Sequence, residues 1–395
     1  MLLLNEGIHL TDVFYRSLRD HIVHGTGQFI RGATRLEIQD YQICLENSLE
    51  NLLMVPFRYS NLPAIIAETL WVYSGRTDMS FLTYYLKAAK KYSDDGDTWR
   101  AGYGKRLMEQ FAIMDDGKHD MVSQVDRLIK YMRRDLATTR AVLVIPDGSD
   151  YQLDEYGEEK KDEPCTMFVQ FMHRGPNLNC FVRMRSNDIM LGCFNVNFFE
   201  WTMLQQLIAN ELNCSPGSYH VNAVSMHIYD NWVKKLPLIL ENQLPIDIYS
   251  IVEPYRLTTK WSTLKKYLPE FMMFEQDLRK TPLTNASLSS LDGKFTEDMR
   301  NMMYVMLVTM LHKQGKHTML LDVLSRITSD IWLIGCLEYM VRRLGNSFFS
   351  MIHKIIRETL AKRYCDDGLE NITLYIFHSE YEKYCQDKLD GIRKR

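Results

Sequence analysis

Apolar and polar residues alternate along this chain in two rhythms, and each change of rhythm marks an element. Spacings of three and four predict helices over Ser48–Phe57 and over Leu62–Gly75, where Ile65, Ile66, Leu70 and Val72 surround Glu68. The same spacing predicts an amphipathic helix over Asp120–Arg134, with Met121, Val125, Leu128, Ile129 and Met132 in one stripe. Ala141–Ile145 is a β-branched run stopped by Pro146-Asp-Gly148 and reads as a buried strand and turn. Longer strands are expected at Thr166–His173, Asn179–Arg185 and Tyr219–Tyr229, with a helix at Phe198–Leu212 between the last two. Period two then places Phe181, Arg183 and Arg185 on one face of their strand and Cys180, Val182 and Met184 on the other; Ser225, His227 and Tyr229 project together. The polar stretch Asp150–Glu163 reads as a solvated acidic loop.

Near residue 281 the texture changes. Thr281–Gly293 reads as a linker, and beyond it nearly everything is helical: Glu297–Lys313, Thr318–Arg343, Ser347–Arg363 and roughly Leu374–Arg393. The third of these carries Phe348, Ile352, Ile355, Ile356 and Leu360 as its stripe, with Asn346 or Ser347 as N-cap. The expected organisation is a mixed α/β domain over 1–280, a linker over 281–294, and a helical region over 295–395 that carries no catalytic motif.

Composition narrows the class. The chain has 395 residues, 46% hydrophobic and 25% charged, which supports a real core and excludes disordered or collagen-like proteins. Lys+Arg 47 against Asp+Glu 50 leaves a net charge of −3, too balanced for a nucleic-acid coat, so no direct nucleic-acid contact is expected. Cysteines at 44, 165, 180, 193, 214, 336, 365 and 385 form no CxxC pair, so neither a metal site nor a disulfide scaffold is expected. The apolar stretches Met302–Leu311 and Ile331–Met340 are short and flanked by charge, and the N-terminus lacks a basic n-region. A cytoplasmic protein without a membrane span is the expectation.

Cys165 is the first chemical candidate. It follows Glu163-Pro164 at the mouth of a strand, and arginines on a neighbouring strand would favour its thiolate. Met184-Arg-Ser-Asn-Asp188 combines a guanidinium fork with a hydroxyl, a pairing suited to phosphate. Taken singly, each has an ordinary structural reading: a buried thiol, a capped strand end, a satisfied histidine at His227. Gly25–Gly32 matches a dinucleotide loop by count alone, and Asp94-Asp-Gly-Asp97 lacks the rest of a calcium loop.

Together the fragments have an order. Ala67-Glu-Thr-Leu-Trp-Val-Tyr-Ser-Gly75, Tyr103-Gly-Lys105, Thr138-Thr-Arg140, Pro164-Cys165 with Gln170, Arg185-Ser-Asn-Asp188 with Gly192, Phe194-Asn195 and His227-Ile-Tyr229 follow the pattern of the thymidylate synthase family over residues 20–232. Thr166 after the cysteine, Ser225 where synthases carry Asp, and Ala88-Ala-Lys-Lys-Tyr92 in place of a Trp segment resemble the phage pyrimidine hydroxymethylase branch. The resemblance implies an α/β (α+β) fold, a large bent mixed β-sheet flanked by helices, with a C-terminal helical appendage.

It also implies roles. Cys165 would add to C6 of the pyrimidine, Glu68 would move protons and position water, and Tyr103 would take part in loss of the C5 proton. Arg185, Ser186, Arg140 and Arg31 would grip phosphate, Asn195 would read the base, His227 and Tyr229 the sugar hydroxyl, and Asp188 would face the folate. The cofactor implied is 5,10-methylenetetrahydrofolate. A homodimer is implied, with Arg140 crossing to its neighbour, although Thr139 stands where the family has a first arginine. Phe194-Asn-Val196 resembles the uracil-reading motif, while deoxycytidylate hydroxymethylases place Asp after the Asn. The implied reaction is dUMP to 5-hydroxymethyl-dUMP, for modified phage DNA made in the host cytoplasm. The alternatives are dCMP hydroxymethylation, thymidylate synthesis and an inactive scaffold. No closing C-terminal segment is recognisable after Trp232. Residues 295–395 are expected to brace the dimer or to contact a nucleotide-metabolism partner.

Overall fold

In the computed structural model, residues 4–113, 119–153, 157–344 and 348–378 are described. The first half is built from β1 (Leu4–Gly7), α1 (Leu10–His24), β2 (Thr26–Ile30), β3 (Ala33–Leu45), α2 (Leu62–Tyr73), α3 (Met79–Tyr85), α4 (Tyr103–Met108), β4 (Gln110–Ile113), β5 (His119–Val122), α5 (Gln124–Arg134) and β6 (Val142–Val144). There follow β7 (Thr166–Arg174), β8 (Asn177–Asp188), a π-type turn over Ile189–Asn197, α6 (Phe198–Leu212) and β9 (Ser215–Tyr229). Helices take over beyond: α7 (Asp230–Val233), α8 (Leu236–Glu241), α9 (Trp261–Lys280), α10 (Asn285–Ser289), α11 (Glu297–Lys313), α12 (His317–Ser325), α13 (Asp330–Leu344) and α14 (Phe349–Glu358), with residues 366–378 also helical.

One mixed sheet runs in the order β1-β3-β9-β8-β7-β6, with β2 as a hairpin on β3. The β8–β9 pair is parallel, as its crossover through α6 requires, and β7–β8 is antiparallel. Alternation along β8 is as period two demands: Leu178, Cys180, Val182 and Met184 are buried while Phe181, Arg183 and Arg185 are not. The alternation then slips. On β3 Asp40 has a φ of 52°, and the ladder passes from Tyr41–Ala223 to Gln39–Ser225 without pairing Asp40 or Val224. On β8 the ladder likewise skips Arg185 between Met184–Ala223 and Ser186–Ser225. Three adjacent strands therefore carry an extra residue at one level, which bends the sheet and re-aims the side chains beyond it.

The core sits between this sheet and α2 and α6. Helix α6 buries almost every side chain from Phe198 to Glu211, and α2 buries every residue from Leu62 to Tyr73 except Glu68. The same core continues into α11 and α13; a Cβ on Gly335 would lie 3.0 Å from Leu52 and 3.3 Å from Leu62. Leu283, Leu288 and Leu291, from the stretch read as a linker, are buried in it too.

Several expected boundaries shift, each for a physical reason. No helix forms over Ser48–Phe57: Leu52, Leu53, Met54 and Val55 are all buried, which no single helix stripe provides, and Leu52 N–H donates to Tyr249 Oη at 2.9 Å. The helix expected from Asp120 starts at Gln124, capped by Ser123, because residues 119–122 pair with β4 as a strand. Thr318–Arg343 is two helices, broken where Thr328 N–H donates to Asn301 and Ser329 Oγ accepts from Trp332 N–H. Gly25–Gly32 is a hairpin whose tip, Arg31-Gly32, takes positive φ at both residues. The N-cap at Asn346 or Ser347, and the last helix beyond residue 378, lie outside the described residues. No helix of the described chain is long and apolar enough to cross a membrane.

Candidate active site

Helix α2 is capped by Asn61 and has Pro63 in its first turn, so its start is fixed and Glu68 falls on the one accessible position of an otherwise buried helix. Burial pushes the Glu68 carboxyl up to about 7, where it can take and return a proton near neutrality. Tyr103 opens α4. Its hydroxyl accepts Thr166 N–H at 3.1 Å, and its ring stacks on Trp201 with centroids 5.9 Å apart. Gly104 behind it is obligatory, since a Cβ would lie 2.1 Å from the Val72 carbonyl oxygen.

Cys165 is half-buried at the start of β7. Burial raises its thiol, while Arg185 and Arg31 pull it back down. Arg185 holds the chain around it: its N–H donates to the Cys165 carbonyl at 2.9 Å, Nε to Pro164 O at 2.9 Å, and a terminal nitrogen to Glu163 O at 3.1 Å. Arg31, at the β2–β3 tip, shares a cavity of about 260 Å³ with Arg185. Acidic side chains already engage both: Arg31 with Glu159 at 3.0 Å and Glu163 at 3.7 Å, Arg185 with Glu163 at 3.8 Å. Arg140 is exposed and does not line that cavity.

Past the bulge, pairing sets Ser186 beside Ser225, Asp188 beside His227, and Arg35 and Glu37 beside Tyr229 and His227. Arg35 pairs with Glu37 at 3.0 Å, and Ser225 donates to the same carboxylate. His227 meets the Tyr229 ring edge-on at 5.0 Å. Burial first, then Arg35, lower the His227 pKa to about 4, so the ring is neutral at pH 7; both its nitrogens are buried without a partner. Asn195 stands on the π-type turn with its amide oxygen also buried and unpartnered. Buried Arg58 secures that turn by donating to the carbonyls of Met190 and Phe194 at 2.9 and 3.0 Å. Asp188 caps the turn's start, accepting Met190 N–H at 2.9 Å, and burial lifts its carboxyl to about 6.

Glu68, Tyr103 and Cys165 are thus linked through α4 and α6, Arg31 and Arg185 meet in one cavity, and Ser186, Asp188, His227 and Tyr229 share one face of the bent sheet. Arg140 does not line the cavity that Arg31 and Arg185 share. Sequence reasoning missed Arg35, Glu37, Arg58 and Glu200. For Glu200 a signal existed: it is an acid inside the apolar run Phe198-Phe-Glu-Trp201. Among the described residues His9, Glu50 and Asp247 could also hold a cation, but Glu50 already accepts Leu10 N–H and faces His9, closing the start of α1.

A family model described as thymidylate synthase matches residues 14–252. The chain is 27% identical over 282 residues to the deoxyuridylate hydroxymethyltransferase of Bacillus phage SP01, covering 67% of this chain and 72% of that protein. Its counterpart from Delftia phage PhiW-14 is 30% identical over 196 residues, covering 47% of this chain and about half of its own length, 51%. The thymidylate synthase of Buchnera aphidicola is 26% identical over 200 residues, 49% of this chain and 70% of that one. Among solved structures, thermostable thymidylate synthase A from Bacillus subtilis superposes with a TM-score of 0.50 at 21% identity, covering 59% of this chain and 84% of its own. With the family model spanning more than half its residues, and the family's fold beneath them, the chain belongs to the thymidylate synthase family of one-carbon transferases.

Proposed function

We propose that the protein hydroxymethylates dUMP, using 5,10-methylenetetrahydrofolate and water, as a homodimer. The observation that carries this reading is a group of unpaired buried polar atoms around Tyr103, whose hydroxyl holds the backbone next to Cys165. Thr166 Oγ1, Glu200 Oε1 and Trp201 Nε1 are buried without hydrogen-bond partners, in the neighbourhood of Glu68 and Tyr103. A site that finishes by delivering hydride needs a dry apolar wall; one that finishes by adding water needs donors and acceptors to hold it.

The folate, when bound, supplies a carbon at the oxidation level of formaldehyde. The residues fit such a group. Tyr92 stacks on Trp99 at 6.4 Å with half its own surface exposed, and burial followed by the Asp188 charge raises both Tyr92 and Tyr229. A flat ring with N–H donors therefore finds an aromatic face and a carboxyl acceptor side by side. Cys165 adds to C6, and Arg31 and Arg185 take the phosphate in place of Glu159 and Glu163. Neutral His227 offers a donor and an acceptor to the sugar. The Asn195 amide suits uracil, whose N3–H needs an acceptor and whose O4 needs a donor.

The outer face of the sheet fits a second copy. Val144, Phe168, Arg183 and Asn222 pair into one row across β6–β9, and Phe181 stacks on His220 at 4.4 Å. A twofold contact there carries exposed Arg140 toward the partner's phosphate cavity. The product serves modified phage DNA made in the host cytoplasm.

The test is mass analysis of nucleotides after incubation with methylenetetrahydrofolate and equal dUMP and dCMP. A dUMP product heavier by CH2O is expected. A gain of CH2 would make the protein a synthase, and a heavier dCMP would reassign the base.

A further inference from the structure

Glu200 is 2% exposed in the middle of α6. Among the described residues no ion pair involves it, and its Oε1 has no hydrogen-bond partner. A carboxylate left so would lose its hydration with nothing to replace it, so the group is held as the neutral acid. A helix that needed only packing here would carry Leu or Met.

Its surroundings tie it to the reacting centre. The Glu200 carbonyl accepts the Tyr73 hydroxyl at 2.5 Å, and Tyr73 lies on α2 with Glu68. The next residue, Trp201, stacks on Tyr103, whose hydroxyl holds Thr166 N–H beside Cys165. Burial first, then the Glu68 charge, raise the Glu200 carboxyl well above its usual range. Two buried carboxyls that feel one another's charge do not both ionise: Glu68 takes the charge and Glu200 keeps its proton.

We propose that Glu200 is a positioning residue that holds, together with Glu68, the water that becomes the product hydroxyl. The inference rests on the hydroxymethylation reading. In that step the water oxygen bonds to the exocyclic methylene carbon of the Cys165-bound nucleotide, and a water proton passes to ionised Glu68. The displaced electron pair moves into the ring as an enolate, then forms C5=C6 and expels the Cys165 thiolate. Glu200 Oε1 accepts the water's second hydrogen and keeps its own proton throughout. The oxygen lone pair is thereby left facing the carbon.

An added thiol such as 2-mercaptoethanol competes with water for the same electrophilic carbon and gives a thioether instead. The ratio of thioether to hydroxymethyl nucleotide therefore reads how well water is held, whatever the total rate. Glu200→Leu is expected to raise that ratio about tenfold. Release of label from C5, which reads Cys165 and Tyr103, should continue. Glu200→Gln, whose amide carbonyl replaces the acceptor, is expected to restore the ratio to within about twofold of the native value. If Glu200→Leu does not fold, Glu200→Asp, which withdraws the acceptor by one methylene, decides in the same way by raising the ratio. An unchanged ratio in the folded Leu or Asp variant overturns the inference while leaving hydroxymethylation standing. No hydroxymethyl product from the native protein overturns both.

Discussion

Burial sets the working state of Glu68, and it does so at a cost. Removing a proton from a carboxyl shifted from 4.5 to about 7 is harder in the folded chain than in the unfolded one. Between those two values the folded state binds more protons, so this group's contribution to stability falls as pH rises from 4.5 to 7 and is level above that. Glu68→Gln is therefore expected to raise the melting temperature at pH 8, by up to about 3 kcal/mol of stability, and to leave it unchanged near pH 4.5. The same substitution should lower kcat by about 10²–10⁴-fold, and the native rate should climb through pH 7 as the carboxyl ionises. Melts at two pH values and a pH–rate profile check both. The carboxyl and the cysteine were legible in the sequence because they fall in ordered motifs. Glu200, Arg58 and Arg35 were not, because their meaning lies in tertiary surroundings: an unpartnered buried oxygen for the first, the Met190 and Phe194 carbonyls for the second, and Glu37 with its Ser225 contact for the third. Spacing carries no record of an unmet hydrogen bond.

At the scale of elements, two close approaches hold the site together. Helix α4 crosses α2 so tightly that Gly104 has no room for a methyl group against the Val72 carbonyl. Gly104→Ala is expected to destabilise the fold by about 1–3 kcal/mol and to displace Tyr103 from Thr166. Denaturant melts and loss of C5 label release check it. The second approach is the acidic loop before Cys165, which sets Glu163 within 3.8 Å of Arg185 and 3.7 Å of Arg31. On the proposed reading, a nucleotide phosphate displaces these carboxylates. Glu163→Gln is therefore expected to lower KM for the nucleotide about two- to fivefold, with kcat little changed, as steady-state kinetics at low salt would show. Strands and helices with clean periodicity, β8 and α6 above all, were legible to within a few residues. The stretch at Ser48–Phe57 was not: its four consecutive buried residues mimic a helix in composition while their backbone groups bond to distant partners such as Tyr249. The bulge through Asp40, Arg185 and Val224 was equally silent, since one extra residue per strand leaves no mark in composition.

Across the whole molecule, the C-terminal helices reach the sheet through α2 and α6, since α2 packs on α6 and α6 on β8 and β9. Helices α11 and α13 pack on α2, and Arg342 reaches Ser60 O just before it, so the element carrying Glu68 is pressed from behind by residues far along the chain. Periodicity showed those helices but not their docking, because a buried stripe does not name its partner. The opposite surface bears on the phosphate site. Arg140 is exposed and does not line the cavity of Arg31 and Arg185, so in the proposed homodimer its role in phosphate binding falls to the neighbouring copy. Mixed dimers separate the possibilities. In a Cys165→Ala subunit paired with an Arg140→Ala subunit, one site lacks both residues if Arg140 acts across the interface, and the other site is complete. If Arg140 acts on its own site, both are broken. Each variant alone should be deeply impaired. Random reassortment of equal amounts is expected to restore about a quarter of native activity, since half of the dimers are mixed and each offers one whole site. Native mass spectrometry, which resolves the hybrid from both parents, confirms the reassortment, and a mixture no more active than its parents would remove Arg140 from the partner's site.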